Sequence, residues 1–299
     1  MALAIPQIGF GTGTTWYKYG RESEIDQTLV DALVSALQVG ITHLDGAECY
    51  GTALETRDAI KKANIPREKL WITEKYYAGD SSHKSKSKAA NPLAALKEIL
   101  RLEELEYVDL YLLHSPYITK ETHGFTLEEA WGYLEEAQSL GLAKNIGVSN
   151  FTVADLEKIL KVAKVKPQVN QIEYNAFLQD QTPGVVEFSQ KNGILIEAYS
   201  PLAPLYKGDK SIKEVKEFLD YVYELGKKYG KSDTQVLLKW VLQKGIIPIT
   251  TSTKTERVKE FLKIDDFQLE PSEVEKITTL GAKAPVVRQY WVPEYSKFD

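Results

Sequence analysis

The chain has 299 residues, 43% of them apolar, with 37 basic and 42 acidic side chains and a net charge of −5. That length can bury one large α/β core or two ordinary ones. The mildly acidic, well-mixed charge excludes the basic field that grips nucleic-acid backbones or anionic membranes, so the expected partner is a small molecule. Cys49 is the one cysteine, which rules out an internal disulfide framework and a cysteine zinc cluster and makes a half-buried filler its simplest role. No apolar run approaches the ~20 residues that span a bilayer. The start MALAIPQIGF lacks the basic-then-apolar order of a secretory leader, so a cytoplasmic location is expected.

In chain order, eight short apolar runs recur: IPQIGFG, ITHLD, LWITEK, VDLYLLH, AKNIGVS, QVNQIEYN, ILIEAYS and IIPITTS. Most are rich in β-branched residues or leucine without strict alternation, the pattern of strands covered on both faces of a parallel sheet. Between them lie segments with apolar residues at three- and four-residue steps, among them IDQTLVDALVSALQVG, NPLAALKEILRLEEL, TLEEAWGYLEEAQSLG, VADLEKILKVAK and VKEFLDYVYELGKKYG, which predict helices. Asn91 with Pro92, and Thr126, read as helix starts, and Gly40, Gly141 and Gly230 as left-handed ends. Eight strand and helix units without a linker predict a single-domain (β/α)₈ barrel over residues 1–299. An open doubly wound sheet is the alternative. Its glycine signature is nearly met at Gly9, Gly11 and Gly13, but the sixth position is Thr14 and WYKYGRES delays the next helix. The stretch DSSHKSKSK, residues 80–88, reads as a solvated loop or as a lid over a site.

In such a barrel the chemistry lies at the carboxyl ends of the strands. The runs end in Asp45 with Tyr50 beyond it, Lys75, His114, Ser149 and Asn150, Gln171, and Tyr199 with Ser200. A phenol near pKa 10 needs roughly 4 kcal/mol of preferential phenolate stabilisation to become acidic near pH 7. A charged Lys75 could supply it, with Asp45 holding the lysine proton on against burial. Neutral His114 could orient a substrate oxygen. Together the four suit protonation of a carbonyl oxygen as it gains negative charge. His43, His83 and His123 show no ligand spacing and read as structural or solvated, and no metal site is expected.

These motifs resemble the aldo-keto reductase family along nearly the whole chain, through GFGTGT, GITHLDGAECYG, LWITEK, VDLYLLHSP, LAKNIGVSNF, VNQIEYN, AYSPL and IIPITTSTKTER. The resemblance leans toward fungal ketoreductases of α-keto amides, ketopantoyl lactone-like diketones and similar carbonyls. It implies a monomer that uses NADPH, with Tyr50 as general acid, Asp45 and Lys75 as its tuning pair and His114 as the orienting group. It further implies that Ser149, Asn150 and Gln171 bind the nicotinamide carboxamide and that Tyr199 stacks on the ring. Ser200, Pro201 and Leu202 would line the pyrophosphate, with Gly11 and Thr12 also at the cofactor. Thr251, Ser252, Thr253, Lys254 and Arg257 would receive the adenosine 2′-phosphate. Trp16, Tyr17, Tyr76, Tyr77, Ser115 and Tyr117 are the expected substrate wall, and the aromatic tail from about residue 282 should fold over the barrel mouth.

Departures from the family pattern stand at Glu74, where many relatives have Ser or Thr, at Ser115 in place of Trp, and at Phe261 in place of an adenine-contacting Asn. The hairpin that plugs the barrel base in many relatives is expected to be short or absent. Two other readings share the architecture: a redox-sensing or regulatory NADPH-binding barrel with little turnover, and a Schiff-base lyase using Lys75.

Overall fold

A computed structural model describes residues 3–299. Eight parallel strands close in sequence order into a barrel, each hydrogen-bonded to the next and the last to the first. They are β1 (Gly9–Gly11), β2 (His43–Asp45), β3 (Trp71–Tyr76), β4 (Val108–Leu113), β5 (Ala143–Ser149), β6 (Val169–Glu173), β7 (Leu195–Tyr199) and β8 (Ile246–Thr250). Every one falls inside or within a residue of a predicted apolar run, because strands sandwiched between a filled barrel and a helical shell must be apolar on both faces.

The predicted helices form at Gln27–Val39, Pro92–Glu103, Leu127–Ser139, Val153–Val162 and Lys213–Tyr229. Their ends follow side-chain chemistry. The Asn91 side chain accepts from the Ala94 N–H, and Thr126 forms a reciprocal capping box with Glu129. Gly40 and Gly230 close their helices in the left-handed conformation. Further helices, including Ala53–Ala63, Asp233–Gln243 and Thr255–Leu262, complete the shell.

At the base of the barrel Leu110, Leu112 and Val169 form a small apolar cluster of their own, and Leu3, Ile5, Trp71 and Leu195 pack against it. Two side chains near the amino end therefore cover the base where a hairpin was expected to be reduced. Replacing both Leu3 and Ile5 by Ser removes partly buried apolar area on the order of one full side chain and should cost about 1–3 kcal/mol. Thermal unfolding should shift down by a few degrees with KM for substrate unchanged, because the plug sits at the end of the barrel opposite the cavity.

Candidate active site

The strand carboxyl ends open into a cavity of about 860 Å³, a volume suited to a large organic ligand. At its floor the Lys75 ammonium donates to Asp45 Oδ1 and to the Gly46 carbonyl, both at 2.7 Å. Lys75 is fully buried and Asp45 nearly so. The pair is a register product: β2 and β3 lie side by side, with Asp45 opposite Thr73 and Lys75 one inward-facing position further on. The ammonium sits 5.1 Å from the centre of the Tyr50 ring, and the His114 ring meets Tyr50 edge-on with centroids 5.6 Å apart. Tyr50 lies on the single turn Glu48–Tyr50 that follows β2, and His114 immediately follows β4. Gly13 makes room for the phenol, since a Cβ there would come within 3.0 Å of the Tyr50 ring.

The electrostatics differ from the sequence expectation in one respect. Burial and the Asp45 carboxylate push the Tyr50 hydroxyl well above its ordinary range. The lysine donates to Asp45 and Gly46 rather than to the phenol. Tyr50 is thus a fully protonated donor beside a neutral ion pair, not a phenol tuned toward neutrality. That still serves proton delivery, because an alkoxide is far more basic than a phenolate. Burial, followed by Lys75, pushes His114 well below its ordinary value, so it is a neutral imidazole. Its Nδ1 lies 3.5 Å from Cys49 Sγ, which leaves Nε2 for a ligand and gives Cys49 a contact beyond packing.

Around this floor the cavity is lined by Gly11, Tyr17, Tyr77, Asn150, Gln171, Tyr199, Ser200, Pro201, Leu202, Thr251 and Arg257. Asn150 and Ser200 hold positive φ angles of 62° and 56°, uncommon for residues with a Cβ. Asn150 is held there by its side chain, which donates to His114 O and Ser149 Oγ and accepts from Gln181 and from the Tyr199 hydroxyl at 2.7 Å. Arg257 forms no ion pair among the described residues and sits in the first turn of the helix Thr255–Leu262. It is an unmatched guanidinium at the cavity edge.

Several expected positions lie elsewhere. Trp16 is buried against Phe10, its indole N–H bonded to Thr28, because the turn Thr14–Trp16 directs it into the core. Tyr76 points outward from β3 and packs on Phe125, since strand alternation puts it on the face opposite Lys75. Ser115 is buried and donates to Gly79 O, and Tyr117 stacks on Trp291 instead of forming wall. Thr12 and Ser149 are sealed in the barrel, bonded to the backbones of Asp45 and Gln171. Ser252 caps Lys254 N, and Thr253 and Lys254 face solvent outside the cavity wall.

In their place the tail supplies Gln289, Tyr290, Trp291 and Glu294. Its docking is specific. Glu173 at the end of β6 accepts from the Gln289 and Tyr290 N–H groups at 2.8 and 3.1 Å, and Tyr295 donates to the Asn150 carbonyl. Glu294 accepts from Ser81, and Ser87 donates to Glu48, so the 80–88 stretch is tied down at both ends with Gly79 and Asp80 in the cavity wall. The aromatic content of the tail was a usable sign of this wall, but its pairing with Glu173 left none in the sequence.

Glu74 points out of the barrel behind Lys75, and its carboxyl lies near that of Glu103, whose two oxygens are buried without a hydrogen-bond partner among the described residues. Both are buried, and desolvation pushes both above the usual carboxylate range, Glu74 further raised by the Glu103 charge.

The Aldo/keto reductase family model matches residues 7–282, and the chain belongs to that family. A Saccharomyces cerevisiae NADPH-dependent alpha-keto amide reductase is 46% identical over 99% of this chain and 93% of its own length. A Schizosaccharomyces pombe NAD/NADP-dependent indole-3-acetaldehyde reductase is 41% identical over 95% and 94%. Among solved structures, a Bombyx mori aldo-keto reductase in complex with NADP superposes with a TM-score of 0.79 at 29% identity, covering 97% of this chain and 94% of that one.

The buried acid pair carries a stability prediction. Carboxyls with raised folded pKa values keep protons that the unfolded chain loses near pH 4.5, so stability is greatest below that pH and falls as pH rises, at up to about 1.4 kcal/mol per unit per group. Glu74→Thr removes one partner and should flatten the fall in melting temperature between pH 5 and 8, as read by thermal unfolding across that range.

Proposed function

We propose that Tyr50 donates the proton, His114 orients the carbonyl oxygen, and the buried Asp45–Lys75 pair supports the Tyr50 ring at the cavity floor. The activity they serve is NADPH-dependent reduction of aldehydes or ketones to alcohols. The observation that carries this reading is the placement of the Tyr50 ring between the buried ion pair and the neutral imidazole, at the base of a cavity large enough for cofactor and substrate. The cavity also fits the cofactor by its loose polar ends: Gln171 lines it with no donor to its carbonyl oxygen among the described residues, Thr251 Oγ1 is buried without a partner, and Arg257 is unpaired. NADPH, when bound, supplies the hydride.

In this reading Gln171 and Asn150 border the carboxamide, Tyr199 offers its ring face, Ser200 to Leu202 follow the pyrophosphate, and Arg257 takes the 2′-phosphate with a planar fork. Tyr17, Tyr77, Tyr290 and Trp291 make an aromatic wall suited to flat, activated carbonyls such as α-keto amides, α-diketones and keto lactones. The keto amide reductase name of the yeast relative supports that choice. A cytoplasmic monomer is the matching form. Among the described residues no helix is long and apolar enough to cross a membrane. A Schiff-base role for Lys75 is disfavoured, because its nitrogen is fully buried and already bonded to Asp45 and Gly46.

Two measurements test the assignment. With saturating NADPH and an α-keto amide, Tyr50→Phe should lower turnover by roughly 10²- to 10⁴-fold while the Kd for NADPH changes little, as loss of a general acid requires. Equal turnover in wild type and variant removes Tyr50 from the chemistry. Arg257→Ala should weaken NADPH by roughly ten- to a hundredfold, the worth of a charged hydrogen bond, and leave NADH binding nearly unchanged. Parallel losses for both cofactors would move the 2′-phosphate away from Arg257.

A further inference from the structure

Glu197 stands in β7 directly opposite Gln171 of β6 and is completely buried inside the barrel. Its Oε2 accepts one amide hydrogen of Gln171 at 2.9 Å, and Asp45 Oδ2 takes an amide contact at 2.7 Å. Asp45 in turn holds Lys75 through its other oxygen. A continuous chain therefore runs from Glu197 through Gln171 and Asp45 to Lys75. The second oxygen of Glu197, Oε1, is buried with no partner among the described residues. A carboxylate oxygen in that position is costly, and a protonated one is far less so.

Two carboxyls on one amide nitrogen decide which way the amide faces. Both hydrogens of Gln171 Nε2 are drawn into the barrel, so its carbonyl oxygen is the atom presented to the cavity, where it can only accept. We propose that Glu197 is a positioning residue of the cofactor site: it turns the Gln171 carbonyl outward, and its Oε1 carries a proton that is released to solvent when the site binds the oxidised, cationic nicotinamide and is kept when it binds the reduced, neutral one. The proposal rests on the placement of the nicotinamide beside Gln171 given above.

The electrostatic surroundings favour such behaviour. Facing Glu197 are the Asp45 carboxylate from β2, which outweighs the opposing Lys75 ammonium from β3, the uncharged amide of Gln171 from β6, and no titratable group on β8. His43, lower on β2, is held neutral by burial. Desolvation, reinforced by the Asp45 carboxylate, pushes Glu197 up to about 8. The carboxyl is thus neutral at pH 7, yet close enough to neutrality that one added positive charge nearby would ionise it. The sign follows. A cation in the site lowers the Glu197 pKa, so affinity for the oxidised cofactor rises with pH up to about 8 and then levels, while affinity for the reduced cofactor does not.

Proton release is measured directly by calorimetric titration of NADP⁺ and of NADPH into the intact enzyme in two buffers of different ionisation enthalpy, from pH 6 to 9. The 2′-phosphate is common to both nucleotides, so the difference between them isolates the ring. Near pH 7 wild type should release up to one more proton with NADP⁺ than with NADPH. The ratio of the NADPH to the NADP⁺ dissociation constant should climb by as much as tenfold per pH unit below pH 8. In Glu197→Gln, which keeps an acceptor for Gln171 but cannot ionise, that difference and slope should vanish while NADPH still binds. Equal proton counts for the two nucleotides in wild type overturn the proposal, whatever the variant does. A persisting difference in Glu197→Gln also overturns it, by moving the proton to another group. Failure of wild type to bind either nucleotide overturns the cofactor assignment beneath it.

Discussion

A single buried ion pair organises the centre of this protein. Lys75 and Asp45 face each other across neighbouring strands with almost no exposure, each oxygen of Asp45 and the ammonium committed to a partner at 2.7 Å. Two charges so buried are tolerable only together, since loss of either partner leaves an uncompensated charge in a low-dielectric interior. Around that constraint the rest is arranged. The backbone carbonyl of Gly46 takes one ammonium proton, Gln171 completes Asp45, Glu197 completes Gln171, and the Tyr50 ring lies over the neutralised pair.

The surroundings of the phenol set its proton affinity. The Lys75 ammonium is committed to Asp45 and Gly46, and burial together with the Asp45 carboxylate raises the Tyr50 hydroxyl above its ordinary range. Tyr50 is therefore held in its protonated form, the form that the proposed donation to a carbonyl oxygen requires. His114, kept uncharged by burial and by Lys75, adds a hydrogen-bonding group without a competing charge. The floor is one of preorganised neutral donors above a closed-off ion pair.

The tail makes the mouth what it is. Glu173, Asn150 and Ser81 tie the segment 288–295 to the ends of two strands and to the 80–88 stretch. In this way residues more than a hundred positions apart form one wall. Aromatic side chains that would be exposed on a free tail are instead spent on a concave surface, with Tyr290 against Tyr199 and Trp291 against Tyr117.

Much of this was readable from the chain. Strand apolarity and helix capping are local, so eight strands, their order and the five predicted helices followed from spacing alone, and the closing residues Asp45, Tyr50, Lys75 and His114 followed from where each strand stops. Side-chain direction one residue on either side of a strand end was less legible. Lys75 and Tyr76 are neighbours, yet one faces the barrel interior and the other the helical shell, and Trp16 enters the core because a tight turn rotates it there. The proton affinity of Tyr50 was also less legible: composition names the charges near a phenol, but burial, the largest influence on it here, depends on the closed barrel. The sequence by itself determined the barrel and the identity of its central groups, because periodicity and strand endings act over a few residues. Tertiary structure alone decided the cavity wall, the pairing of Glu74 with Glu103 and the chain from Glu197 to Lys75, because burial and charge depend on which distant segments the closed barrel brings together.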